Sequence, residues 1–245
     1  MLIKNSAFAV CISFLIFFLI AGCSSDEENP ITPTPPQTPP DFSLQEITLP
    51  QNMLHSTNTL AKQAITTIDE AIDFARCGCT FEAPDEATLE KAEGGEWEYT
   101  WSVVDLTKTM QITAVSGRYT WKIFYDGTQT GQEYNNWRYM DAVQSTDLSS
   151  GHVTLFKAGT VTTELEWVWY TLENTDYKLI KQYYGDPSYK VEITIKTDNS
   201  GKIDKFKRNS SGSMVFDVKY AWTSDGSGSC WTFEDGVQTS FNTWQ

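Results

Sequence analysis

The sequence predicts a mainly β fold, an antiparallel meander of about ten to twelve strands preceded by one amphipathic helix. Apolar and polar residues alternate with a period of two along most of the chain after residue 96, which is typical of strands with one buried and one solvated side. Short turn signals separate these segments, and no helical pattern lies between them to form parallel crossovers. We therefore expect consecutive strands to pair as hairpins.

Composition excludes several classes of protein. The chain has 245 residues, with 32 acidic and 18 basic side chains and a net charge of -14. An acidic surface repels phosphate backbones, so no nucleic-acid partner is expected. Hydrophobic residues make up 40% of the chain, which is too much for a disordered protein.

The first 22 residues have the pattern of a signal peptide. Lys4 precedes an uncharged, largely apolar run from Ala7 to Ile20. A membrane-spanning helix needs about 20 apolar residues, so this run is too short to span and is typical of the hydrophobic region of a signal peptide. No later stretch reaches that length, so we expect no helical membrane span.

The end of this segment carries a short motif, Ile20-Ala21-Gly22-Cys23. It resembles the lipobox of bacterial lipoproteins. The resemblance implies cleavage between Gly22 and Cys23 and attachment of diacylglycerol and a further acyl chain, such as palmitate, to Cys23. Two or more acyl chains anchor a protein stably, because each buried CH₂ group contributes ~0.8 kcal/mol. The alternative is an ordinary secretory signal.

Residues 23–41 form a predicted tether. An acidic run, Ser24-Ser25-Asp26-Glu27-Glu28, resembles the export signal of surface lipoproteins in one phylum of Gram-negative bacteria; the alternative is a solvated group of charges. Residues 29–41 contain six of the nine prolines and predict a polyproline II spacer of ~35–40 Å. We expect an outer-membrane lipoprotein, exposed at the cell surface or facing the periplasm, with one domain over 42–245.

An amphipathic helix is predicted within residues 56–77. Its apolar positions recur at the helical period, and they are Ala61, Ala64, Ile65, Ile68, Ala71, Ile72 and Ala75. Ser56 is the predicted N-cap and Gly78 the predicted stop. Pro84-Asp85-Glu86 predicts the start of a second short helix that ends at Gly94-Gly95.

The alternating segments after residue 96 predict the strands. The clearest lie at 97–103, 119–125, 165–169, 189–196 and 214–222. A flat open sheet of so many strands is unusual, so we expect a curved, barrel-like sheet, with a two-sheet sandwich as the alternative. Segments such as Ser116–Trp121 and Gly226–Trp231 resemble uncharacterised surface lipoproteins of the same phylum, which implies no known activity. A helix with a curved meander also resembles the half-barrel of periplasmic lipoprotein carriers.

Three cysteines remain after Cys23 in the mature chain. In an oxidising envelope they predict a disulfide between Cys230 and either Cys77 or Cys79. A strained Cys77–Cys79 bond, buried thiols and a metal site are the alternatives. The C-x-C spacing is not that of a redox motif, and no histidine lies nearby to complete a zinc site. We therefore expect neither a metal nor a cofactor.

Catalytic motifs are missing from the sequence. His55 and His152 lie far apart without a flanking motif, and no nucleophile elbow, zinc-protease motif or phosphate-binding loop is present. Two pairs of glutamates, Glu164 with Glu166 and Glu96 with Glu98, each point to one side of a strand, as a retaining glycosidase would need. Asp198–Asp204 weakly resembles a calcium loop, but a hairpin turn is expected there.

Aromatic residues are the most suggestive feature. All nine tryptophans and all eleven tyrosines lie after residue 96. The adjacent pairs Trp169–Tyr170 and Tyr183–Tyr184 place a ring on each side of a strand, so these four are candidate ligand-stacking residues. Exposed rings would stack on sugars, and an enclosed aromatic cavity would hold an apolar molecule; the alternative is a core on both sides of the sheet.

The predicted function follows from these features. We expect a non-enzymatic envelope lipoprotein that associates with the membrane through the lipid on Cys23. Its β domain would bind a glycan or an apolar ligand, or have a structural role. A carboxylate-based glycoside hydrolase that acts on extracellular polysaccharide is the alternative.

Overall fold

A computed structural model describes residues 38–77 and 79–245, apart from the side chains of Cys77 and Glu93. The predicted signal peptide, the lipobox with Gly22 and Cys23, and the tether up to residue 37 lie outside the described residues. The predictions made for those segments therefore stay predictions.

The described chain contains two α-helices, one short 3-10 helix and thirteen strands. The helices are α1 Gln51–Leu54 and α2 Thr59–Ile72, and the 3-10 helix is Ala75–Cys77. The strands are β1 Thr88–Glu93, β2 Glu96–Val103, β3 Leu106–Val115, β4 Arg118–Gln129, β5 Gln132–Ser145, β6 Ser150–Phe156, β7 Thr163–Thr171, β8 Tyr177–Tyr183, β9 Tyr189–Ile195, β10 Gly201–Arg208, β11 Met214–Trp222, β12 Gly228–Glu234 and β13 Val237–Trp244.

The strands form one sheet in sequence order. Each strand pairs antiparallel with its neighbours in the sequence, from β1 at one edge to β13 at the other. The predicted mainly β antiparallel meander is confirmed, with thirteen strands instead of ten to twelve. The two edge strands do not pair with each other, so the sheet is open and the barrel-like closure expected from the sequence is not formed. The two-sheet alternative is likewise not found among the described strands.

One side of the sheet, here called the helix-facing side, carries the core. Alternate residues of successive strands point to it, and its largest fully buried side chains include Trp121, Trp167, Trp169, Met110, Ile123 and Leu179. The opposite side, here called the outer side, is mostly half-buried and rich in polar and charged residues. Burial on one side explains the period of two in the sequence.

Helix α2 packs against the helix-facing side through its apolar stripe. Ala61, Ala64, Ile68 and Ala71 are buried, and their period of three and four residues puts them on one face of the helix. The indole Nε1 of Trp167 donates to the Ala71 carbonyl at 2.9 Å, and Nζ of Lys181 donates to the Glu70 carbonyl at 2.7 Å. These two bonds satisfy carbonyls that the end of a helix leaves without partners.

The ends of α2 differ from the prediction. Asn58 is the N-cap, since its Oδ1 accepts a hydrogen bond from the Leu60 N–H at 2.8 Å. The predicted cap, Ser56, instead accepts from the Asn58 N–H at 3.2 Å, so it supports the capping residue. The helix ends at Ile72, before the predicted stop at Gly78, which lies outside the described residues.

The second helix predicted between Pro84 and Gly95 is wrong. Residues Thr88–Glu93 form β1, which pairs antiparallel with β2. The turn between them uses Gly94 and Gly95, with φ of 60° and 78°, a conformation that glycine adopts without steric cost. The proline and acidic residues suit a helix start, but pairing with β2 overrides that local preference.

A group of aromatic side chains fills the centre of the helix-facing side. Phe42 stacks on Phe81 with ring centroids 3.6 Å apart and meets Trp121 and Trp169 edge-on at 5.3 and 5.7 Å. Phe74 packs edge-on against Phe42 at 5.5 Å. Edge-to-face contacts of this kind add to the energy of burial. The space next to the buried tryptophans is therefore occupied by side chains of the protein itself.

Candidate functional site

The four predicted ligand-stacking residues do not form one site. Trp169 is only 1% exposed and belongs to the core. Tyr183 lies on the helix-facing side, where its ring packs 5.5 Å from that of Tyr189. Tyr170 is half-buried on the outer side, and Tyr184 is exposed, with its hydroxyl donating to Glu166 at 2.9 Å.

A larger group of aromatic residues lies on the outer side of β10–β13. We call it the aromatic surface, and it consists of Phe206, Phe216, Trp231, Phe233 and Phe241. The rings of Phe206 and Phe216 stack with centroids 4.6 Å apart, and Phe233 follows 5.4 Å from Phe216. Trp231 and Phe241 lie 5.3 Å apart. Four of these rings are half-buried, and Phe241 is 53% exposed.

Strand register brings these five residues together. Phe206 pairs with Phe216, and Trp231 pairs with Phe241. Trp231 alternates with the buried Cys230, which puts its ring on the outer side. Register shifts at Lys205/Phe206 and at Thr232/Phe233 realign the strands next to the aromatic residues. Such bulges change where side chains point.

Charged groups border the aromatic surface on one side. Nζ of Lys190 lies 4.4 Å from the ring centroid of Phe206, and Nζ of Lys219 lies 4.8 Å from that of Phe216. Such cation–π contacts hold a cation next to the ring face. Glu192 receives hydrogen bonds from Lys190 and Lys178 at 2.7 and 3.0 Å. Burial acts to raise the pKa of Glu192, but these two lysines outweigh it and lower the pKa.

The predicted disulfide is not formed. Cys230 is a free thiol, only 2% exposed, in β12, and burial raises its pKa. A bond from Cys230 to Cys77 or Cys79 is therefore excluded in this structure. Cys79 lies near Tyr125, whose pKa is raised to about 12 by burial and then by the charge of Cys79. Within residues 38–77 and 79–245, no group of three or more potential metal ligands is found.

Three of the four candidate catalytic glutamates are bonded to neighbouring side chains. Glu96 pairs with Lys91, Glu98 accepts from Gln111 at 2.8 Å, and Glu166 accepts from Tyr184. This is how acids on a solvated strand surface pair with neighbours across the sheet.

The two histidines and the calcium-like segment lie at the protein surface or in a turn, and no site forms around them among the described residues. His55 is exposed next to α1, with Nδ1 2.8 Å from the Gln51 carbonyl oxygen, and His152 is exposed in β6. Asp198 lies in the β9–β10 turn, where it accepts from the Ser200 N–H at 2.9 Å. The prediction of a hairpin turn at Asp198–Asp204 is therefore confirmed.

Comparisons with models of known protein families and with curated proteins find no match to this chain. In the part of the chain that the structure describes, no helix has both the length and the apolar character needed to cross a membrane.

The sequence analysis missed the aromatic surface, although it contained part of the signal. Alternation with buried residues was enough to place Trp231 on the outer side, and the same holds for Phe206, three residues after the buried Ile203. The contacts between these rings across neighbouring strands could not be predicted from the sequence, because they depend on the two register shifts.

Proposed function

We propose that this chain is a non-enzymatic envelope lipoprotein, anchored by lipid on Cys23, that binds glycans through the aromatic surface of β10–β13. The observation that carries the proposal is the presence of five aromatic rings on the solvent side of β10–β13, as a row of three (Phe206, Phe216 and Phe233) and a pair (Trp231 and Phe241). Contiguous apolar patches on a protein surface mark binding sites for ligands or partners. Flat rings bordered by charged groups suit sugars, which present apolar CH faces and polar hydroxyls together.

The packing of the core favours a surface ligand over an enclosed one. Phe42, Phe74 and Phe81 occupy the centre of the helix-facing side, against Trp121 and Trp169. An apolar molecule in that place would have to displace several aromatic side chains, and each of them contributes a large burial energy. The outer side offers aromatic area without that cost.

The N-terminal sequence supports the proposed location. The motif Ile20–Cys23 resembles a lipobox, and the proline-rich spacer over residues 29–41 would hold the folded domain ~35–40 Å from an outer membrane. A binding surface on a domain at the end of such a spacer would reach extended polymers. We propose that the domain faces the cell exterior, as the acidic run Ser24–Glu28 suggests.

Affinity electrophoresis of the full chain in detergent tests the proposal, with dextran, xylan and alginate as probes. We expect at least one polysaccharide to retard the protein. Trp231→Ala should weaken that binding about tenfold, because one aromatic contact contributes roughly 0.5–1.5 kcal/mol beyond its burial. The double variant Trp231→Ala/Phe241→Ala should migrate as if no polysaccharide were present.

Tyr184→Ala is the matched control, because it removes an exposed ring from the outer side away from β10–β13. It should be retarded like the wild-type protein. Circular dichroism of each variant checks that the sheet is intact. Retardation by none of the probes, or equal loss in Tyr184→Ala and Trp231→Ala, contradicts the proposal.

A further inference from the structure

A cleft lies between helix α2 and strands β8–β11. Its volume is 380 Å³, within the range of small-molecule sites. Its lining includes Glu70, Lys181, Tyr189, Lys205, Lys207 and Asp217. Lys205 pairs with the buried Val191 and with Val218, which puts its side chain on the helix-facing side. Phe206, a member of the aromatic surface, also contributes to the lining, so the two features are neighbours across strand β10.

The lining of the cleft is positively charged. Three lysines line it from the helix-facing side, Lys181, Lys205 and Lys207, against the two acids Glu70 and Asp217. Lys190 is also part of the lining, but its ammonium lies on the outer side with Phe206 and Glu192. This excess of one positive charge contrasts with the net charge of -14 of the whole chain. A local patch of the opposite sign attracts ligands that the rest of the surface repels.

Both acids of the cleft already have cationic partners. Glu70 Oε1 lies 2.9 Å from Nη1 of Arg76, and Asp217 Oδ1 lies 2.8 Å from Nζ of Lys207. Lys205 is half-buried and forms no hydrogen bond or ion pair with any residue from 38 to 77 or 79 to 245. Its ammonium has no anion among the described side chains, so it can pair with an anionic ligand without first breaking an ion pair within the protein.

A flat ring and a fixed cation complete the cleft. Tyr189 is 37% exposed, and its ring is supported by Tyr183 at 5.5 Å. Nζ of Lys181 is held by the Glu70 carbonyl at 2.7 Å and lies 5.1 Å from the ring centroid of Trp167. The walls are thus held in place by contacts within the protein, so little ordering is needed when a ligand binds.

We infer that this cleft binds the carboxylate-bearing sugar ring of an acidic glycan, with Lys205 paired to the carboxylate and Tyr189 stacked on the ring. That the ligand is a sugar rests on the proposed function; that the cleft takes an anion does not. The inference adds a specificity for uronic-acid units to the glycan binding proposed for the outer side.

Saturation-transfer NMR on the full chain in detergent tests the inference. The probes are glucuronate and glucose, with inorganic phosphate as a competitor. We expect glucuronate to bind about tenfold more tightly than glucose, because a charge-assisted hydrogen bond is lost with the neutral sugar. Its binding should weaken as salt is raised, since salt screens the attraction. Equal binding of the two sugars overturns the inference.

Variants of Lys205 locate the site. Lys205→Gln should weaken glucuronate binding about tenfold, whereas Lys205→Arg should keep most of it. Lys196→Gln, an exposed lysine in the β9–β10 turn, is the matched control and should bind like the wild-type protein. Unfolding midpoints establish that each variant is folded. Unchanged binding in Lys205→Gln overturns the assignment of the site.

The competitor and the polysaccharide assay separate the two proposals. Phosphate that binds in the absence of any glucuronate binding would show an anion site without sugar recognition and would overturn the inference. Retardation by polysaccharides reports on the aromatic surface, and the glucuronate signal of Lys205→Gln reports on the cleft. Either assay can therefore contradict its own proposal while the other assay still supports the other proposal.

Discussion

At the scale of single residues, three glycines on the helix-facing side lie directly beneath tryptophan rings, which occupy the space that a Cβ would need. Gly151 pairs with Trp169, Gly201 with Trp222 and Gly228 with Trp244 across neighbouring strands. None of them has a positive φ, so backbone conformation does not require glycine there. The rings lie across the glycines instead, which covers backbone that glycine would otherwise leave bare.

Gly151→Ala should lower the free energy of unfolding by about 1–3 kcal/mol, the usual cost of overpacking a core. A Cβ at this position would lie 2.7 Å from Cη2 of Trp169 and 2.5 Å from the Val143 carbonyl oxygen, and the backbone atom cannot move away easily. Urea unfolding measures the effect. Ser150→Ala, the next residue in the same strand, is the control and should stay near the wild-type value; equal midpoints for the two variants contradict the prediction.

At the scale of elements, three hairpin turns at the same end of the sheet share one design. In the β5–β6, β9–β10 and β11–β12 turns an aspartate accepts a hydrogen bond from the N–H of a serine two residues later. The pKa of Asp147 is lowered to about 2 by hydrogen bonds from Ser149 and Ser145. That of Asp225 is lowered to about 2 by hydrogen bonds from Thr223 and Ser227.

The turn aspartates predict a loss of stability in acid. A carboxyl group with a folded pKa below its unfolded value of ~3.9 stabilises the fold above that value, and the contribution is lost as pH falls toward the folded pKa. The thermal midpoint should therefore drop between pH ~4 and ~2. In Asp147→Asn/Asp225→Asn the drop should be shallower, because the amide keeps the acceptor but does not titrate.

Asp235→Asn is the control for this comparison. Asp235 lies in the β12–β13 turn, where no described side chain donates a hydrogen bond to its carboxylate. Scanning calorimetry over the acid range measures all three proteins. A double variant with the same slope as the wild-type protein would falsify the role of these turns.

Some strands could be predicted from the sequence and others could not. The strictly alternating strands predicted at 97–103 and 189–196 are found at Glu96–Val103 and Tyr189–Ile195, because one buried side imposes the pattern directly. Strand β1 was missed because its residues are mostly exposed and carry no alternation, with Leu89 at 48% exposure. Its conformation comes from pairing with β2, which is tertiary information.

At the scale of the whole molecule, the proposed anchor gives a direct prediction. Cys23→Ala should move the protein from the membrane fraction to the soluble fraction, because the thiol that would carry the acyl chains is gone and one chain or none does not hold a protein stably. Fractionation followed by immunoblotting measures the distribution. Ser24→Ala is the control and should stay with the membrane; a Cys23→Ala protein that also stays there contradicts the anchor.

The candidate sites were beyond the reach of sequence analysis for reasons that apply to the whole fold. The aromatic surface joins residues 206 to 241 across four strands, and the cleft next to α2 joins that helix to residues as distant as Asp217. The sequence analysis identified aromatic residues as the suggestive feature but paired those adjacent in the chain. Neighbours in a sheet are set by register, which local patterns specify only in part.

The strict sequence order of the strands bears on how the chain folds as it is made. Every pairing from β1 to β13 joins strands adjacent in the sequence, so each new hairpin closes only a short loop, at low entropic cost. The sheet can extend strand by strand during synthesis. Helix α2 is made first but also contacts β12 and β13, so its apolar stripe is fully covered only when the last residues arrive. Completion of the core therefore waits for β12 and β13.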